Sequence, residues 1–399
     1  MSEISKKVTY TILSMSLLTV MAGAAIAPAL GIIKQHFASY PPLSVQLIVS
    51  IPALFIIATN LFFFQISRRF DTRSIAVTGL SLYVLSGAGC FFADNIYTLL
   101  CLRAVLGVSV GLIMPLSTGL LSFYFPPERQ AQLMGLSAAM NQLGGLVATL
   151  LAGVLAAIEW RYAFLVYLLG LIAVVMVVCN LPAERLSSHG EGGKAFDFAN
   201  LARFHPSVTS MLLLMIVFFV FPTNFAITAQ ASGLSIAAIT LFMVGLDLVA
   251  FLVGLVFGKV MRWFRRAVKY FAPTLFLLGY LCYCAGGAAW LIAGSCLVGL
   301  ANGVGVPYLN TIASIKGGKN SATTVMPLLS AALYLGQFIS PILVSPLANW
   351  LFGEADTAAP YKVAIIISAV FLAQVFLTRS FQSLPPEDRP ETDKGGRGL

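Results

Sequence analysis

The chain has 399 residues, of which 59% are hydrophobic and only 10% charged, with a mean hydropathy of +0.91. No water-soluble core needs that much apolar surface, so the chain belongs in a bilayer. Its net charge of +9 arises from 24 lysines and arginines against 15 acids, and their placement makes it a membrane-surface charge that requires no nucleic acid.

A spanning helix needs about 20 mostly apolar residues. The stretches between charges supply twelve, numbered here in chain order: 8–33, 43–66, 74–93, 96–124, 131–157, 162–181, 207–229, 235–258, 270–287, 289–314, 322–351 and 361–378. The alternation over about ten residues that marks an outer-membrane strand is missing. Span 1 contains AGAAIA, small residues of the kind a signal peptidase cuts. It is uncharged from Val8 to Ile33, longer than a signal core, and has a counterpart later in the chain, so it is expected to stay as a span.

Lysine and arginine then set orientation. With the N-terminus inside, twenty of the 24 fall on the cytoplasmic side, three (Lys34, Arg161, Lys362) fall outside, and Arg103 lies within span 4. This bias predicts a multi-pass inner-membrane protein with both termini cytoplasmic. The six cysteines lie in or at the edge of spans without metal-ligand spacing to histidine, and read as small packing residues.

The longest polar connection, 181–207, divides six spans from six. The expected organisation is a six-helix bundle over 1–183, a cytoplasmic linker over 184–206, a second six-helix bundle over 207–380 and a polar tail over 381–399. An amphipathic piece near Phe196–Phe204 could lie on the membrane surface. The halves repeat. In span 4, Gly107, Gly111 and Pro115 match Gly299, Gly303 and Pro307 in span 10 at a shift of 192. Leu143-Gly144 matches Leu335-Gly336 at the same shift, and QISRRFDTR after span 2 aligns with KVMRWFRRA after span 8 at 194. Tandem six-helix repeats place a binding site between the halves near the midplane, with access alternating as the halves rock.

With these features the chain resembles the major facilitator superfamily over essentially its whole length. The family's loop 2–3 signature, G-x-x-x-D-R-x-G-R-R, reads FQISRRFDTR, in which Arg68, Arg69, Asp71 and Arg73 are the gating candidates; Phe64 replaces the glycine and Arg68 the aspartate. The span 4 signature is kept as Arg103, Gly107 and Gly111, and EWRYAF at 159–164 resembles the family's entry to span 6. The span 5 antiporter motif starts at Gly144, but its glycine-proline is Ala148-Thr149; the repeat mate carries the proline, Pro341. The resemblance implies an all-α fold of twelve helices in two pseudo-symmetric bundles and links Arg103 to proton coupling.

Two charges inside spans are the coupling candidates, because an intramembrane charge is costly and tends to be functional. Arg103 lies about 10 Å along span 4, where it could instead snorkel to the headgroups. Asp247 is the only acid inside a span, on a stripe with Thr240, Val244, Phe251, Gly254 and Gly258 that is expected to pack closely on another helix. A neutral polar set is the candidate substrate lining: Asn141 and Gln142 in span 5, Asn224 in span 7, Tyr308 and Asn310 in span 10, and Tyr334 and Gln337 in span 11. Each is as well suited to helix packing as to ligand contact. Phe218, Phe221, Phe225 and Phe338 would add apolar wall, and Pro222 and Pro307 could kink their helices.

No loop that cradles ATP phosphates and no recurring His/Cys/Asp cluster is present, so neither an enzyme nor an ATP-driven pump on this chain is expected, nor any cofactor or metal. The expectation is a monomeric secondary transporter, a proton-coupled exporter of small, largely apolar organic molecules. The alternative is a proton-coupled importer or facilitator of a small organic acid, with Arg103 neutralising its carboxylate. A membrane-embedded enzyme or sensor is the remote one.

Overall fold

The structure is a computed structural model that describes residues 3–125, 127–184, 198–317, 325–353 and 355–378. Among these residues all regular structure is helical. Twelve segments are long and apolar enough to cross a membrane: Lys6–His36, Pro42–Phe63, Thr72–Phe92, Ile96–Leu121, Leu133–Ala156, Trp160–Asn180, Phe204–Ala231, Ile236–Phe264, Ala267–Ala285, Ala288–Lys316, Met326–Phe352 and Ala359–Leu377. These are the twelve expected spans with ends moved by a few residues. Most of the predicted linker, Ser188 included, and the whole of the tail lie outside the described residues. Of the expected surface piece, residues 196 and 197 also lie outside them. The remainder forms the first turns of the helix Phe198–Ala231, so span 7 begins early and no separate surface helix forms there.

Twelve crossings bring the two ends of the bundle to one face, which also carries the clustered lysines and arginines. It is called the basic face below, and the other the far face. Span 1 is not one helix. It runs as Glu3–Ala24, breaks, makes a 3-10 turn at Ala27–Ala29 and resumes as Leu30–His36. Pro28 has no N–H to continue the ladder, which accounts for a break here. Pro52, Pro222 and Pro307 stay inside continuous helices, each removing one donor from its own helix.

The repeat seen in the sequence is a repeat of contacts. A Cβ on Gly107 would come within 2.4 Å of the Pro52 carbonyl oxygen, and one on Gly299 within 2.6 Å of that of Leu246, its partner at a shift of 194. Gly111 meets the Ile56 carbonyl and Gly303 the Ala250 carbonyl, again related by 194. Gly144 faces the Leu17 carbonyl and Gly336 that of Leu212. Spans 4 and 10 thus press on spans 2 and 8, and spans 5 and 11 on spans 1 and 7, through backbone that only glycine lets approach. Lipid tails give no hydrophobic drive between helices, so such close packing carries the association.

The halves meet chiefly toward the far face. A Cβ on Gly31 in span 1 would strike Gln230 and the Ala226 carbonyl of span 7. In spans 2, 7 and 11, Gln46 Nε2 donates to Asn224 Oδ1 at 2.8 Å, and Ser345 Oγ donates to Gln46 Oε1 at 2.5 Å. Asn224 Nδ2 completes the set with the Val220 carbonyl and Thr223 at 3.0 Å each. Gln46 is 4% and Asn224 3% exposed, so this is a dry, satisfied amide clasp.

The glycine contacts make a direct test. A methyl at Gly144 would sit 1.9 Å from the Leu17 oxygen, whereas one at Gly135, on the same helix, has nothing within 4 Å. Gly144→Ala should destabilise the protein by about 1–3 kcal/mol or more, read as a lower unfolding temperature in detergent. Gly135→Ala should match the parent or exceed it slightly, because alanine is the better helix former.

Candidate functional site

Arg103 is completely buried, and its surroundings explain how. Its Nε donates to the Ile48 carbonyl at 2.7 Å, one amino group to the Ala22 carbonyl at 2.7 Å and the other to the Tyr167 hydroxyl at 2.5 Å. Tyr167 donates in turn to the Ala22 carbonyl at 2.9 Å. Both carbonyls need a donor. Ile48 lies four residues before Pro52, which has no N–H to return. Ala22 lies in the last turn of Glu3–Ala24, where the ladder runs out. The guanidinium therefore ties together spans 1, 2, 4 and 6 at two helix defects. Among the described residues no carboxylate pairs with it, and all three nitrogens are engaged, so Arg103 does not snorkel.

At the repeat position of Arg103 stands Ser295, bonded to Tyr283 at 2.8 Å. The mate of the Ala22 carbonyl, at Val217, accepts from the Tyr280 hydroxyl at 2.6 Å. The second half solves the same geometry with neutral hydroxyls. The charge belongs to the first half alone.

Asp247 sits at the other seam between the halves. It is half-buried in span 8, and Thr149 of span 5 lies 2.9 Å from its Oδ2. One turn nearer the far face, Gly153 presses on Thr240: a Cβ there would come within 2.1 Å of the threonine oxygen. This pair is the repeat mate of Gln46–Ser345, so both seams close by the same geometry with different chemistry. Toward the basic face the 5·8 seam parts. Thr149, Gln142 and Gly135 recur every seven residues on one stripe of span 5; Gln142 is exposed and Gly135 has nothing near it. On the facing stripe Gly254 and Gly258 also have nothing within 4 Å. The expectation that these two glycines pack closely on another helix is therefore corrected: only the far-face end of their stripe is engaged. No ion pair joins Asp247 to Arg103.

The other candidates scatter by environment. Asn141 accepts from Thr19 at 2.7 Å and is half-buried beside the parted seam. Tyr334 donates to Met114 Sδ at 2.9 Å, linking span 11 to span 4 near mid-depth, and Gln337 approaches Met215 Sδ at 3.9 Å. Asn310 is half-buried. Asn224 is spent in the amide clasp, and Tyr308 is 3% exposed, so in this state neither offers free surface to a ligand. In the loop 2–3 signature, Asp71 caps the helix Thr72–Gly89, accepting from the Ser74 amide at 2.9 Å and its hydroxyl at 2.7 Å. Arg73 donates to the Val178 carbonyl, and Thr72 bonds the Pro182 and Glu184 carbonyls, fastening this loop to the end of span 6. Arg68 and Arg69 are exposed on the basic face, and Pro341 is buried in span 11.

Three groups at the Arg103 cluster and the seams were not singled out from sequence. Thr149 stands where the span 5 motif would have its proline, and Tyr167 three residues beyond EWRYAF. Ser345 lies one residue before Pro346. The stripe rule could have found Thr149, since it lies seven residues from Gln142.

Residues 12–341 match the profile of the Major Facilitator Superfamily. The chain belongs to that family. Its members and this chain's relatives are transporters, not enzymes. The riboflavin transporter of Clostridioides difficile is 25% identical over 173 residues, 43% of this chain and 37% of that protein. A multidrug transporter protein of Bacillus subtilis is 25% identical over 143 residues, 35% of this chain and 26% of its own length. The chain thus spans about a third of the length of these curated relatives. Among solved structures, a D-xylose–proton symporter superposes with a TM-score of 0.71 at 15% identity, covering 96% of this chain and all of that one. It is a likeness of fold.

The Arg103 site predicts an order of severity. Tyr167→Phe removes one acceptor of the guanidinium and one donor to Ala22, and should cost about 1–3 kcal/mol. Arg103→Lys keeps the charge but not the planar fork that reaches three directions, and should lower thermal stability further. Thermal unfolding in detergent ranks them, and a lysine variant as stable as the parent would show that the fork does not bind the helices together.

Proposed function

We propose that the chain is a proton-coupled exporter of small, largely apolar organic molecules, working as a monomer in the cytoplasmic membrane with the basic face inside. Residues 1–183 and 207–380 are the two bodies that rock, joined by 184–206. The observation that carries the reading is Asp247: the only acid inside a span, at a seam between the halves, bonded to a hydroxyl of the opposite half and to no cation. Arginine cannot cycle a proton, so a titrating group is needed elsewhere, and tyrosine titrates ordinarily near 10. Arg103 is the fixed positive charge and holds the first half's helix defects in register. Its nitrogens are all engaged, which weighs against the organic-acid alternative, where it would face a substrate carboxylate.

The substrate class follows from neutral polar groups in spans 5, 10 and 11. Asn141, Gln142, Asn310, Tyr334 and Gln337 can donate and accept without charge, and Met114 and Met215 offer soft, adaptable surface. The multidrug relative supports export. In the cycle, Asp247 takes a proton with the far face open and gives it up on the basic face as substrate loads.

Orientation is tested by single cysteines at Ser188 and Ser383 in a background lacking the native six. Both should be shielded from an impermeant thiol reagent outside intact cells, because twenty of the 24 basic residues crowd that side. Labelling of either from outside would reverse the topology.

Coupling is tested by Asp247→Asn in liposomes. The variant should bind substrate with lost pH dependence and fail to concentrate it under a pH gradient. Proton-driven accumulation at parental rates would leave Asp247 a structural group.

A further inference from the structure

The contact between Thr149 and Asp247 carries a proton count. Thr149 Oγ1 lies 2.9 Å from Asp247 Oδ2 and 2.9 Å from the carbonyl oxygen of Gly145 in its own helix. A hydroxyl has one proton to give and lone pairs to receive. An ionised Asp247 can only accept, so it competes with Gly145 for that single proton. A protonated Asp247 donates its O–H to Thr149 Oγ1, and Thr149 then donates to Gly145, so each group is served at the observed distances.

The surroundings add to the same preference. Span 8, which itself carries Lys259 and Arg262, packs on spans 5, 7 and 10, on the break in span 1 and on the turn Arg265–Tyr270 with its Lys269 and Tyr270. Their described titratable groups include His205 in span 7, Cys296, Tyr308 and Lys316 in span 10, and Lys6, Lys7, Tyr10, Lys34 and His36 in span 1. None of these bonds Asp247; the side chain that does is Thr149. An ionised carboxylate in the closed seam would be held by one hydroxyl and no cation, which is costlier than a neutral acid there. In the parted seam the same carboxylate can reach water.

We infer that Thr149 is the positioning residue that makes closure of the 5·8 seam depend on a proton at Asp247. One proton from the far-face aqueous phase binds the carboxylate, the seam closes, and the basic face opens. Loss of that proton to the basic side favours parting again. The clasp of the 2·11 seam, formed by Gln46, Asn224 and Ser345, is made of neutral groups that do not titrate and sets the closing strength equally at every pH. This rests on the proton-coupled reading above and adds the direction of the coupling: protonation closes the far face.

The test uses nitroxide labels at Ala157 and Ala237, exposed residues at the far-face ends of spans 5 and 8, in the full chain without its native cysteines. Pulsed EPR in lipid nanodiscs gives the closed and parted populations. In the parent their ratio should rise as pH falls, by no more than about tenfold per pH unit, the limit for one proton. Asp247→Asn, whose amide still donates to Thr149, should stay closed at every pH. Thr149→Val should lower the closed-to-parted ratio at acid pH by about threefold to tenfold, the equivalent of a lost hydrogen bond, and Thr149→Ser should restore it. Ser345→Ala should lower the ratio by a similar factor at all pH values with the slope unchanged. A pH slope that survives in Asp247→Asn, or a Thr149→Val variant identical to the parent, overturns the inference. Proton-driven transport with pH-invariant distances overturns it too while leaving the exporter reading intact. The expected pH response without proton-driven transport supports the latch and removes the exporter reading instead.

Discussion

A carbonyl oxygen inside a hydrocarbon layer has no water to turn to, so each defect in a spanning helix must be answered by protein. This chain makes two such defects side by side, the break ahead of Pro28 in span 1 and the donor missing at Pro52 in span 2, and answers both with one guanidinium. Arg103 can be buried without a carboxylate because main-chain oxygens solvate it: Ala22 and Ile48, with the Tyr167 hydroxyl as third partner. Gly107, one turn along, lets span 4 come close enough to Pro52 for the reach to work. The helix defects, the close approach and the charge form one unit, and removing any member leaves the others unsatisfied.

The two halves share a scaffold and differ in chemistry. Glycine-to-carbonyl contacts recur at constant offsets, so the backbones of spans 1–2–4–5 and 7–8–10–11 are built alike. On that common frame the first half places Arg103 where the second has Ser295, and the second places Asp247 where the first has Ala53. Thr149 likewise faces its partner from the position that Pro341 holds in the repeat. A symmetric frame gives two seams that close alike, and the asymmetric side chains decide what each seam responds to.

The sequence made the frame legible because its determinants are local and repeated. Span lengths follow from hydropathy, and the glycine register follows from pairs that match at shifts of 192 and 194. Arg103 stood out as a charge in apolar sequence, but its partners did not, because main-chain oxygens carry no residue signature; Pro52 and Pro28 were the available hints. Thr149 read as the loss of a motif proline and not as the gain of a hydroxyl. The Gly254–Gly258 stripe was misjudged for a general reason: periodicity tells which face a helix turns to its neighbour, not how far along the neighbour follows. The spacing of Thr149, Gln142 and Gly135 is equally regular, yet only its far-face end is in contact.

That partial contact is what makes the pair of seams useful. A carrier that alternates needs its closed face strong enough to seal yet near balance with the open alternative, since a ligand shifts an equilibrium only by its differential affinity for the two states. The Gln46–Asn224–Ser345 clasp is neutral and internally satisfied, so its strength is a constant set by the fold. A carboxylate in the same role at both seams would bind two protons and make closure steeper in pH than one proton per cycle requires. A neutral clasp at both would leave the closed state indifferent to protons altogether. One constant seam and one ionisable seam, built on equivalent backbone, would let a single proton bias a movement whose mechanical strength is fixed elsewhere.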